Sequence, residues 1–311
     1  MTGVRVVVVG GGLWGRALAR AAARAGSDVV LASRRAEPPP EGARAGDLAD
    51  AEGAGLVVLA VPTSVVETVA DLLSPHLSGR QLLIHGVRGL VSSELSTISS
   101  VLHARTPARR LGALGGPALA GELSRGSPSV MVVASGFAEV IDVTREALGS
   151  PSLRLYGTRD LVGLEWASAL TGCYAIGIGY AQGRSVPPGL VAAFVSRVVA
   201  EASRVAYAAG GDERTLLGLG GLGDLLAAAG QDDRPETSLG RALAAGVPIE
   251  EAKARAGQRI EALSLLPAVD AWAKAHGVRA PILHAIVNGL FAGRLHDDLV
   301  HSLMVAPFDE R

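Results

Sequence analysis

The stretch "VRVVVVGGGLWGRALARAAARAG" (Val4–Gly26) decides the fold. "VRVVVVG" (Val4–Gly10) reads as a strand covered on both faces, and "GRALARAAARAG" (Gly15–Gly26) as an alanine-rich helix. Between them, "GGGLWG" sets Gly10, Gly12 and Gly15 in G-x-G-x-x-G spacing around Leu13 and Trp14. Gly10 permits the tight turn, Gly12 lets the backbone approach a pyrophosphate, and Gly15 allows close packing of helix on strand. The helix N-terminus then faces the anion. The spacing alone is weak, but its place after a first strand and at the start of a helix makes it a dinucleotide loop.

The pattern continues outward. "DVVLAS" (Asp28–Ser33), "GLVVLAVP" (Gly55–Pro62), "RQLLIHGV" (Arg80–Val87) and "PSVMVVAS" (Pro128–Ser135) repeat the strand signal. A βαβ rhythm of this kind implies an α/β domain with a doubly wound, Rossmann-type parallel sheet, here residues 1–157. "RAEPPPEGARAGD" (Arg35–Asp47) reads as a proline-rich surface loop. From residue 158 to 311 the texture becomes helical, as in "GLVAAFVSRVVAEASRVAYAAG" (Gly189–Gly210), so an all-helical C-terminal domain is expected. No internal repeat is visible.

Composition narrows the function. A formal net charge of -1 over 311 residues argues against a general nucleic-acid binder. Cys173 is the only cysteine, which excludes an internal disulfide and fits a cytoplasmic protein, as does a strand beginning too near Met1 for a signal peptide. No metal site is expected. The mean hydropathy of +0.33 raises the membrane question. "EWASALTGCYAIGIGYAQG" (Glu165–Gly183) is the best candidate span, yet its glycines, Ser168, Thr171 and Gln182 suit a buried helix better than an integral membrane segment. No lysine precedes Lys253, so lysine chemistry is absent from most of the chain.

The end of the second strand, "ASRRAE", bears on the dinucleotide. An acidic residue there would bind the ribose of NAD; Ser33, Arg34 and Arg35 stand there instead. Arginine pairs with the 2′-phosphate of NADP and serine can hydrogen-bond it, so NADP is favoured over NAD. The competing reading is a pair of solvated surface arginines.

Seven segments in order now make the sequence resemble the NAD(P)-dependent glycerol-3-phosphate dehydrogenases over nearly its whole length. "GGGLWGRALA" looks like their cofactor loop and "LAVPTSVV", with Pro62, like their third-strand signature. "GGPALAGEL", with Gly116, is similar to G-P-S-F-A-x-E, and "GLEWASALTG" to G-V-E-x-x-x-A-L-K-N. "GLGGLGDLLAAAG" and "DDRPETSLGRALAAG" resemble the glycine-rich aspartate segment and the following S-R-N-x-x-x-G, and "VRAPILHAIVNGL" a later P-I segment.

The resemblance implies reversible hydride transfer between NAD(P)H and the ketone carbon of dihydroxyacetone phosphate, with a lysine as acid. It leaves a homodimer open. Position 171, where that lysine belongs, is Thr171, followed by Gly172 in place of asparagine. A second family lysine matches Arg88, and a family threonine matches Ala228. What the resemblance retains is Asp224 and Arg234 at the substrate, Arg234 as a phosphate ligand, and Gln258 near the nicotinamide. Arg88 and Gly116 join the substrate set.

A threonine hydroxyl donates a hydrogen bond but is a poor acid and brings no charge. Loss of a general acid costs roughly 10²–10⁴-fold in rate. His85, at the end of a strand, is the nearby titratable substitute; its competing reading is a histidine satisfied by its neighbours. Glu165 and Asp224 would balance a lysine, and without one they need another partner such as Arg234. Asp224 reads equally well as a helix cap, and Arg234 as an exposed loop residue. Three functions stay open: a dehydrogenase with altered catalysis, a non-catalytic dinucleotide sensor or scaffold, and hydride exchange between NADP and a flavin-like cofactor. The last rests on the local similarity of "ASRRAE" to F420-dependent NADP reductases.

Overall fold

A computed structural model describes residues 3–91, 94–230, 234–256 and 260–292. The chain divides into two compact units, Met1–Glu165 and Trp166–Arg311.

In the first unit, β1 (Arg5–Val9), α1 (Leu13–Arg24) and β2 (Asp28–Ala32) follow the opening stretch closely. β3 (Ala43–Gly46), β4 (Leu56–Leu59), α2 (Val66–Leu73), β5 (Leu82–His85), α3 (Ile98–Arg105), β6 (Leu111–Gly115), α4 (Ala120–Arg125), β7 (Ser129–Ala134), α5 (Ala138–Leu148) and β8 (Leu153–Thr158) complete it. The eight strands form one sheet in the order β3-β2-β1-β4-β5-β6-β7-β8. The run β3-β2-β1-β4-β5-β6 is the strand order of doubly wound dinucleotide-binding sheets.

Alternation of side chains across the pleat explains the apolar run of β1. Val6 and Val8 enter the core cluster containing Ala17, Leu18, Leu123 and Ile141, contributed by α1, α4 and α5. Val7 and Val9 enter the opposite one, with Val66, Leu73, Ile98 and Leu102 from α2 and α3. Both faces of the strand are dry, so both sets must be apolar.

Two expectations are corrected. The sheet is not wholly parallel: β6 and β7 pair antiparallel, with Leu114 opposite Val133. The proline-rich segment is not loop throughout, because Ala43–Gly46 pairs with β2 as the edge strand β3. Its pattern of half-buried and exposed residues carries no apolar signature.

The described residues of the second unit contain no strand. α6 (Leu161–Gly183) enters it and is followed by α7 (Pro188–Ala208), α8 (Glu213–Leu217), a π-helical turn at Leu219–Gly223, and α9 (Asp224–Gly230). α10 (Pro235–Ala244), α11 (Ile249–Arg255), α12 (Ala262–Ala275) and α13 (Pro281–Ala292) complete it. α6 is long and apolar enough to cross a membrane, but 89% of its most apolar window is buried inside the protein. Its glycines serve helix packing. A Cβ on Gly179 would lie 2.1 Å from the Thr237 carbonyl oxygen, and one on Gly240 would lie 2.1 Å from that of Ile176. α6 and α10 therefore meet backbone to backbone, which only glycine permits.

Candidate active site

The residues singled out in the first unit gather at one edge of the sheet. Gly10 follows β1, Ser33 follows β2, Pro62 lies beyond β4, His85 ends β5 with Arg88 close behind, and Gly116 follows β6. β1, β2, β4, β5 and β6 run parallel, so all of these lie beyond carboxyl ends, where open α/β sheets bind ligands.

The glycines of the loop meet different steric constraints. Gly10 has φ +127°, and a Cβ there would strike the Ala60 carbonyl oxygen. One on Gly15 would strike the carbonyl oxygen of Gly10. Gly12 is the extended N-cap residue of α1, and a Cβ on it would meet nothing within 4 Å. Its glycine is not demanded by protein packing. Gly11, unremarked in the motif, is demanded, because its Cβ would collide with Ser33 Oγ. Ser33 thus stands directly against the loop, with Oγ accepting from the Arg35 backbone N–H at 3.1 Å. Arg34 and Arg35 are exposed; Arg35 has Glu37 as a loose partner at 3.8 Å. Leu13 is exposed, while Trp14 turns its indole toward Gly86.

Arg88 Nη2 donates to the Gly116 carbonyl at 2.7 Å, joining two residues assigned to substrate. His85 is engaged elsewhere. It is 1% exposed, its Nδ1 accepts from the Val87 backbone N–H at 3.3 Å, and Nε2 faces Glu165 Oε1 at 3.0 Å. An accepting Nδ1 puts the proton on Nε2, which donates to the carboxylate. Both ring nitrogens are used, as in a histidine satisfied by its neighbours. Glu165 also accepts from Ser99 N at 2.8 Å and Ser99 Oγ at 2.6 Å. Its partners are His85 and Ser99 rather than Arg234; Ser99 gave no sign of this role in the sequence.

In the second unit the glycine-rich segment forms the π-turn that delivers Asp224 into the first turn of α9. Such turns concentrate at functional sites. Asp224 is fully buried and Arg234 is 3% exposed, which rules out a solvated loop arginine. Arg234 Nη1 donates to Asp224 Oδ1 at 2.8 Å, and Nε to Glu236 Oε2 at 3.3 Å. Burial opposes the guanidinium charge, but the Asp224 and Glu236 carboxylates outweigh it and hold the Arg234 pKa above its usual value. Thr171 is buried at the centre of α6 beside Gly172. Gln258 lies outside the described residues. No cluster of three metal-binding side chains occurs among the described residues.

The strand order, the glycine loop and the residues assembled at the strand ends define a Rossmann-type dinucleotide-binding protein carrying a helical second unit. Two family models match the chain: the NAD-dependent glycerol-3-phosphate dehydrogenase N-terminus over residues 43–140 and the C-terminus over 160–301. A glycerol-3-phosphate dehydrogenase [NAD(P)+] of Parvibaculum lavamentivorans is 31% identical over 98% of this chain and 97% of its own length. That of Azorhizobium caulinodans is 33% identical over 97% of each. The crystal structure of glycerol-3-phosphate dehydrogenase from Coxiella burnetii has a TM-score of 0.90 at 25% identity, covering 97% of this chain and 99% of that one. The chain belongs to the NAD-dependent glycerol-3-phosphate dehydrogenase family.

Proposed function

We propose that this protein is an NAD(P)-dependent oxidoreductase with altered catalytic machinery, acting on a small phosphorylated ketone–alcohol pair such as dihydroxyacetone phosphate and glycerol 3-phosphate. NADP is the favoured dinucleotide, and the cytoplasm the proposed location. The observation that carries the reading is the Gly10–Gly15 loop. Gly12 is open at the N-terminus of α1, where a pyrophosphate is stabilised by the helix end. Ser33 beside Gly11, with exposed Arg34 and Arg35 next in the chain, suits a 2′-phosphate.

When bound, the dinucleotide supplies or accepts the hydride. In this reading Arg88 binds and polarises a substrate oxygen, but a guanidinium is too weak an acid to donate its proton readily. Thr171 brings a hydroxyl and no charge. Ketone reduction is therefore slowed, by roughly 10²–10⁴-fold relative to a site with a general acid.

The test is NADPH oxidation with dihydroxyacetone phosphate at enzyme concentrations high enough to detect a residual rate. Slow, saturable turnover supports the reading. Turnover of ~1–10³ per second would mean that another group supplies the proton. Tight NADPH binding with no turnover would favour a non-catalytic sensor, a reading encouraged by the uncharged, buried centre of α6.

A further inference from the structure

Two arginines beside the glycine loop share one carboxylate. Arg16 follows Gly15 on α1, and its backbone N–H donates to the Gly12 carbonyl at 3.0 Å, so it belongs to the turn that closes the loop. Arg35 approaches from the end of β2, with its Cδ 3.8 Å from where a Gly11 Cβ would be. Glu37 bridges the two. Its Oε2 lies 3.8 Å from Arg16 Nη1, and its Oε1 lies 3.8 Å from Arg35 Nη1.

At that separation neither contact is a hydrogen bond, and exposed ion pairs of this kind are weak. The carboxylate is nevertheless presented from a stiff segment. Glu37 precedes Pro38, Pro39 and Pro40, whose rings restrict the backbone, and Arg16 Nη2 donates to the Pro38 carbonyl at 2.8 Å. Arg35 and Glu37 are exposed, while Arg16 is largely covered. Among the described residues Glu37 is the only carboxylate in ion-pair range of either arginine. Ser33 Oγ stands against Gly11 at the same turn. A loosely held anion thus lies between two guanidinium groups, one from the first turn of α1 and one from the end of β2.

We propose that Arg16 is a second cationic arm of the 2′-phosphate site, and that Glu37 is a built-in anion which this phosphate displaces. This assignment rests on the dinucleotide reading above. Glu37 then sets the preference between NADP and NAD. A guanidinium holds phosphate oxygens at hydrogen-bond distance through paired N–H groups, which a carboxylate at 3.8 Å does not exploit. A phosphate monoester carries nearly two charges at neutral pH, so it outcompetes one carboxylate for the same two cations. NAD offers a 2′-hydroxyl instead. A hydroxyl donates to a carboxylate, so Glu37 stays in place for NAD and becomes its ribose partner. One acidic side chain between two arginines lets the site serve both dinucleotides, at a cost in NADP affinity.

Calorimetry on the full-length chain tests this, with NADPH and NADH titrated separately at one ionic strength. The readout is the ratio of the two affinities. Both dinucleotides carry the same pyrophosphate and nicotinamide, so a general effect of altered charge cancels in that ratio. Glu37→Gln, which keeps the side chain's shape, should tighten NADPH about 2- to 5-fold, as when exposed ion pairs no longer have to be broken. NADH should not tighten with it. Arg16→Ala should weaken NADPH about 10-fold or more, as for loss of a hydrogen bond to a charged group, and NADH far less. An unchanged or lower NADPH-to-NADH affinity ratio in Glu37→Gln overturns the proposal and leaves dinucleotide binding standing. Equal losses for both dinucleotides in Arg16→Ala do so too, because they show that Arg16 only holds the segment at Pro38. If Arg16→Ala does not fold, the Glu37→Gln ratio still decides. Binding of neither dinucleotide to the wild type overturns the dinucleotide reading, and the roles of Arg16 and Glu37 with it.

Discussion

Gly12 and Thr171 are the residues where chemistry is most exposed to test. A Cβ at Gly12 meets no protein atom within 4 Å, so Gly12→Val should leave the fold intact. Its side chain would occupy the pyrophosphate's space, and NADPH affinity should fall beyond calorimetric detection. Unchanged affinity in a folded variant would refute the loop assignment. At the second position, Thr171→Lys with Gly172→Asn should raise the rate of dihydroxyacetone phosphate reduction. A Cβ at 172 fits at ordinary contact, 3.5 Å from Ala262 Cβ, and an asparagine amide there has the Glu236 carboxylate within reach. Recovery should stay incomplete, since Arg88 is unchanged and groups within one site act non-additively. A double variant no faster than wild type, with melting temperature and NADPH binding preserved, would show that a lysine at position 171 does not limit the rate.

Among the elements, α13 has its first turn capped by a buried carboxylate. Glu201 of α7 accepts from the backbone N–H groups of Ile282 and Leu283 in the first turn of α13, at 2.9 and 2.7 Å, and from the Tyr174 hydroxyl of α6 at 2.9 Å. Burial raises its pKa above 4.5 despite those donors. The folded chain then binds this proton more tightly than the unfolded chain does. The associated stability is present below the unfolded pKa and is lost as pH rises through the folded value. Denaturant melts from about pH 4 to 8 should show the wild type losing ground to Glu201→Gln as pH rises through the carboxylate range. A gap that is flat with pH would exclude titration of Glu201 as the cause. Element identity was largely readable: β1, α1, β2 and the buried α6 follow from apolar runs, glycine placement and absent charge. β3 was not, because four half-exposed residues at a sheet edge owe their strand to pairing with β2 rather than to their own pattern.

For the whole molecule, dinucleotide binding and folding are linked. A ligand that binds only the folded chain stabilises it by ~2.7 kcal/mol at one hundred times its Kd. NADPH should therefore raise the melting temperature more than NADH at equal concentration, and Arg34→Ala with Arg35→Ala should remove the difference. Equal shifts in the wild type would mean that the two arginines are only solvated surface charge. By itself the sequence determined the Rossmann-type half, the helical half, the glycine loop and the uncharged centre of α6, all written in local spacing and residue type. Tertiary structure alone decided which side chains meet. It paired β6 against β7, set Ser33 on Gly11, closed His85 and Glu165 on Ser99, and turned Glu236 onto α6 through Gly240. Those contacts join residues far apart in the chain, and their geometry comes from strand register and helix crossing, which no local pattern encodes.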